Sequence, residues 1–161
     1  SVLLRRYFTA IFALSLATCP LSTEALETIS KQAILLERLG TYCKQLGVEH
    51  PEVFWTKKAF KERYPGQRVG KRGLGLCWRI KGAILVVYNK HNGLRQLDKT
   101  LRHELVHWRF PQVKHGARFD KLIKQIKDGI CWEPFTNADY EAYWQKRMDS
   151  YNKRWKEKES Q

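Results

Sequence analysis

The chain has 161 residues, 43% of them hydrophobic, and carries 30 Lys and Arg against 16 Asp and Glu, a net charge of +14. That length allows one domain with a real core, and that apolar content excludes a disordered chain. A charge this positive favours polyanionic partners such as nucleic acid or an anionic membrane face.

The chain opens with Arg5 and Arg6, followed by a mostly apolar stretch to Cys19. It is too short to span a membrane comfortably, and it reads either as a signal or anchor or as a packed helix. Residues 1–23 therefore form a first segment, 24–130 the main domain and 131–161 a helical extension. Residues 24–46 place Leu26, Ile29, Ala33, Leu36, Leu39 and Cys43 at helical spacing, stopped by Gly47. Residues 52–56 read as a short strand. The turn signals Pro65-Gly66 and Lys81-Gly82 bracket an alternating run over 74–80, and a strongly apolar run follows at 84–88. Together these predict a small antiparallel sheet of about three strands.

Residues 95–110 read as a helix with Leu97, Leu101, Leu105 and Trp108 inward, stopped by Pro111. A helix over 115–128 turns Phe119, Leu122, Ile123 and Ile126 inward and stops at Gly129. Residues 137–158 read as a last helix, with Tyr140, Tyr143, Trp144, Met148, Tyr151 and Trp155 as a packing stripe. The order predicts an α+β fold. Cys19, Cys43, Cys77 and Cys131 form no CxxC pair, which argues against a zinc ribbon or a dense disulfide framework. They read as small core residues of a reducing compartment, with one or two disulfides left open if the protein is exported.

Three of the five histidines fall within "HELVHWRFPQVKH". Residues four apart on a helix share a face, so His103 and His107 aim at one point, which suits two corners of a zinc tetrahedron. Glu104 lies about 100° around the helix, placed to reach a water rather than the metal. A catalytic zinc needs three protein ligands and an open position. His115, beyond the proline break, is the candidate third ligand, and Gly116 beside it allows close backbone approach. Glu141 is a weaker rival for the third place. His91 reads as a loop histidine.

The run "TLRHELVHW", a break and then "HGARF" resembles the SprT-like zinc metalloproteases, the Spartan-like group. His103, Glu104, His107, His115, Gly116 and Phe119 match that pattern over a likeness spanning roughly 24–130. The YgjP-like metal-dependent hydrolases are a close alternative. The Cys-rich zinc ribbon of bacterial SprT-like members has no counterpart, since only Cys131 follows the motif. The resemblance implies a zincin-like minimal metalloprotease with one Zn2+ per chain. It would be an endopeptidase acting on protein or peptide through a zinc-activated water, with Glu104 as general base. It also implies work on DNA-associated or DNA-crosslinked proteins. In zincins the strand before the metal helix is an edge that pairs with substrate; the run at 84–88 reads equally as buried core.

The charge is concentrated. Residues 57–81 hold Lys57, Lys58, Lys61, Arg63, Arg68, Lys71, Arg72, Arg79 and Lys81 against Glu62 alone, interleaved with Phe60, Tyr64 and Trp78. Basic groups neutralise phosphates and aromatic rings stack on bases, so this stretch reads as a DNA contact. A second basic series is Lys114, Arg118, Lys121, Lys124 and Lys127. A basic nucleic-acid-binding protein with a structural or vestigial zinc is the rival reading. A monomer is expected, cytoplasmic or nucleus-associated, or secreted if residues 1–25 are a signal.

Overall fold

The computed structural model describes residues 20–89 and 91–159. The readings of residues 1–19, including Cys19, lie outside them. The chain divides into two compact units, residues 1–33 and 34–161. In the first unit, the described residues begin helix α1 (Thr23–Leu46), where Ser22 Oγ accepts from the Ala25 N–H at 3.1 Å and caps the helix.

The second unit is α+β. After α1 come β1 (Glu52–Phe54), α2 (Lys57–Arg63), β2 (Gly75–Trp78), a 3-10 turn (Arg79–Lys81) and β3 (Ala83–Val86). Then follow α3 (Leu94–Arg109), α4 (Ala117–Lys127) and α5 (Asn137–Glu159). No helix among the described residues is long and apolar enough to cross a membrane.

The sheet is mixed, with order β1-β3-β2. The antiparallel expectation holds for β2 and β3, which pair as Leu76 with Leu85 across the short turn. It fails for β1, which runs parallel to β3 with Val53 opposite Ile84. The reason is the connection: α2 and β2 lie between them in sequence, and a crossover of that length permits parallel pairing. β3 is therefore central and not an edge, and all four of its residues are buried.

Both faces of β3 are covered, which is why its sequence is uniformly apolar. Ile84 and Val86 enter the main core with Leu35, Leu39, Cys43, Leu46, Leu97, Leu101, Leu105, Phe119 and Ile126. Ala83 and Leu85 face a smaller cluster built on Phe60 and Tyr64, with Phe54 and Trp78 against it. Burying a side chain of the size of Ile84 or Leu85 stabilises the fold by about 1.5–3 kcal/mol.

Two expected stripes shift. On α1, Leu26 and Ala33 are exposed, whereas Leu35, Tyr42 and Leu46 join Leu39 and Cys43 in the core. On α5, Tyr140 and Tyr143 are half-buried but Trp144, Met148, Tyr151 and Trp155 are exposed, so only the first part of the stripe packs. Cys43 is buried, Cys77 half-buried and Cys131 exposed, and all three are free thiols. Burial pushes the Cys43 thiol up to about 12, which leaves it inert near neutral pH.

Candidate metal centre

α3 carries two of the three histidines because its apolar stripe fixes which way the helix is turned. Leu97, Leu101, Leu105 and Trp108 are buried, and His103 and His107 come out half-buried beside them. The Phe110 N–H closes the helix on the Val106 carbonyl at 2.8 Å, and Pro111 follows. The chain then turns so that His115 returns to the same face. Its Nε2 lies 3.2 Å from His103 Nε2 and 2.9 Å from His107 Nε2.

His115 sits in the turn ahead of α4 rather than inside the expected 115–128 helix, which begins at Ala117. Gly116 caps that helix at φ +144°, a conformation L side chains rarely adopt, while a Cβ there would meet nothing within 4 Å. The glycine is needed for its backbone angle, not for close approach. Phe119, one turn into α4, underlies all three imidazoles, with ring centroids 4.6 Å from His107 and 4.8 Å from His103 and His115.

Position of α4 is set from α3. Arg102 Nη1 donates to the Ile123 carbonyl at 2.8 Å, and its Nε donates to Asp98 at 3.0 Å. Asp98 also accepts from the Tyr42 hydroxyl at 2.7 Å and pairs with Arg38 at 3.3 Å. This buried network joins α1, α3 and α4 behind the histidines. Its sequence signal was Asp98 and Arg102, a charged pair four apart beside the apolar stripe.

The electrostatics suit a cation. Burial, then neighbouring His103 and His115, hold His107 down to about 4; burial and His115 lower His103. These imidazoles are neutral near pH 7, the form that ligates metal. Three ring nitrogens converging within 4.8 Å of one another crowd lone pairs that a shared cation would relieve. A tetrahedral zinc with Zn–N bonds of about 2.0–2.1 Å needs nitrogens about 3.3 Å apart, close to the two spacings from His115. The three imidazoles could therefore hold one metal ion, and their nitrogen donors suit zinc. Among the described residues this is the one group of three or more His, Cys, Asp or Glu side chains so placed.

Glu104 is 5% exposed, and burial pushes its carboxyl up to about 8. It is covered by β2. A Cβ on Gly75 would overlap Glu104 Oε1 and lie 3.0 Å from its Cγ and Cδ. Sequence reasoning missed Gly75, because a contact between residues so far apart leaves no local signature. Gly75→Ala is expected to cost about 1–3 kcal/mol of stability through overpacking and to displace the carboxylate. Urea unfolding would measure it; an unchanged midpoint would mean that Glu104 swings aside freely.

The other candidates separate from this centre. Glu141 lines a groove of about 720 Å³ with Glu49, His50, Trp108 and Trp144, and none of the three histidines is in that lining. The third-ligand role for Glu141 is overturned. His91 is exposed in the loop before α3, its N–H donating to Asn89 Oδ1. The expected DNA stretch divides. Arg79 is buried and donates to the Trp108 and Thr136 carbonyls, with its guanidinium against the Trp108, Phe135 and Tyr140 rings. Trp78 packs on Phe60 and Tyr64. Arg79 builds structure and is not open to nucleic acid, whereas Trp78 is half-buried. Lys57 donates to the carbonyls of Gly70 and Lys71. Lys58, Lys61, Arg63, Arg68, Lys71 and Arg72 remain exposed, as do Lys114, Arg118, Lys121, Lys124 and Lys127.

Comparison with known proteins gives no match to a family model, to a curated protein or to a solved structure.

Proposed function

We propose that the chain is a zinc-dependent endopeptidase of zincin-like type, akin to the SprT-like metalloproteases. The observation that carries this is the convergence of His103, His107 and His115 through Nε2, with Glu104 between the first two in sequence and sheltered from water. Family likeness rests on those residues together with Gly116 and Phe119. When bound, zinc supplies Lewis acidity to a peptide carbonyl and to water. The chain's own residues do the rest. His103 and His107 would hold the ion from one helix, and His115 would close the triad from the exposed side. Glu104 would take a proton from water and deliver it to the departing amine nitrogen.

Substrate would enter along β2. The sheet order leaves β2 at one edge, and this strand packs against α3 over Glu104. An extended peptide adding to that edge would gain main-chain hydrogen bonds. The edge role expected for residues 84–88 thus passes to β2.

Exposed basic groups on α2, on the loop after it and on α4 support substrates that are DNA-associated proteins. The test combines metal analysis with digestion of a basic DNA-binding protein, with and without single-stranded DNA. The expected result is one zinc per chain, cleavage abolished by chelation, and faster cleavage with DNA. Zinc without cleavage of any protein would favour a nucleic-acid-binding protein with a structural metal. Cleavage indifferent to DNA would leave the peptidase and remove its DNA-associated substrates.

A further inference from the structure

The groove of about 720 Å³ between the end of the sheet and α5 has two walls of different origin. One is the 3-10 turn that leads out of β2, with Arg79, Ile80 and Lys81. The other is one face of α5, where Tyr140, Glu141, Trp144 and Met148 recur at helical spacing over about 12 Å of helix. Both walls leave apolar groups open: Ile80, Trp144 and Met148 are 70%, 38% and 48% exposed. Apolar and aromatic side chains lining a cleft beside a few polar groups mark a binding place.

Charge narrows the occupant. Glu49 and Glu141 stand against Lys81 and Arg79, and the Arg79 guanidinium already donates to the Trp108 and Thr136 carbonyls. A phosphate, whether of nucleic acid or of a lipid headgroup, would meet two carboxylates there, so the groove does not suit a polyanion. Rings, aliphatic groups and polar groups of both signs suit a polypeptide. Continuity says which one. β2 is an edge strand, and its last residue, Trp78, leads into the turn that walls the groove. A peptide paired with β2 and running on past Trp78 arrives at Ile80.

We propose that the groove is an exosite for the polypeptide substrate, seating an apolar side chain of the segment that runs on from β2 against Ile80, Trp144 and Met148. This rests on the peptidase reading, in which Glu104 works at the cleaved bond. Gly75 lies over Glu104, and Ile80 is five positions further along the chain. Paired strands advance together at about 3.3 Å per residue, so the seated side chain belongs roughly four to eight residues from the cleaved bond.

The test is to map by mass spectrometry where the full chain, supplied with zinc, cuts a mixture of long unfolded peptides. The expected result is enrichment of Leu, Ile, Met or Phe on one side of the bond at that distance, about threefold or more over their frequency in the mixture. A Trp144→Ser, Met148→Ser double variant and, on the opposite wall, Ile80→Ser should each erase this enrichment while the residues preferred beside the bond stay the same. All three positions are exposed, so circular dichroism should match the parent. Cutting without a remote apolar preference, or a preference that both variants keep, would overturn the exosite and leave the peptidase. No cutting of any peptide would overturn both. A dimer of the parent chain that Ile80→Ser dissociates would give the groove to a second copy and overturn the exosite as well.

Discussion

A Glu104→Gln chain is expected to take up one zinc ion, keep its fold and lose peptide hydrolysis by about 10²–10⁴-fold, the usual worth of a positioned proton carrier. The amide matches the carboxyl in size, so it still fits beneath Gly75 where a larger group would not. The metal triad is untouched, because Glu104 is not one of the converging groups. What disappears is a side chain able to accept a proton. Single-turnover cleavage of a labelled peptide, with zinc content measured on the same sample, separates the two properties. Cleavage at the parent rate would leave Glu104 as a buried structural carboxyl and move the proton carrier elsewhere.

His115→Ala carries the second large effect, on the metal. Removing one of three ligands should weaken zinc by more than the roughly 10–100-fold that loss of an outer-shell partner costs. Competition with a chromophoric chelator reads this directly. His115 is exposed, so the metal-free variant should unfold at the same denaturant concentration as the metal-free parent. The parent should gain stability as zinc is added, about 2.7 kcal/mol at a hundred times its Kd, and the variant far less at the same zinc concentration. His91→Ala serves as control and should leave affinity unchanged. Equal zinc affinity in His115→Ala would show that the turn before α4 is not a ligand.

Much of this was legible in the chain itself, for identifiable reasons. α3 and α4 announce themselves because their apolar residues recur at helical period with a proline or glycine stop, and HELVH sits squarely on that period. The turn pairs at Pro65-Gly66 and Lys81-Gly82 frame β2, and β3 shows as an unbroken apolar run. Direction within the sheet was not legible, since parallel pairing of β1 depends on a distant partner. α2 was missed because seven residues with one buried side chain, Phe60, carry no period; its sign was Thr56, whose hydroxyl accepts from the Ala59 N–H. α1 offered competing stripes, and tertiary contact selected the one through Leu35, Leu39, Tyr42 and Leu46. The basic run at 57–81 looked uniform because composition cannot tell an arginine enclosed by three rings from one in solvent.

The close approach of the three imidazole nitrogens bears on how the ion would come and go. Two of them are spaced by a helix whose shape is set by core packing, and the third is brought in by a turn fixed through Gly116 and the Arg102 clamp on Ile123. The entropy of gathering ligands is thus spent during folding, before any ion arrives. In zinc fingers the ion itself organises the chain and its removal is unfolding. Here loading and unloading of a metal ion would be local exchange at a preformed socket, leaving the architecture intact.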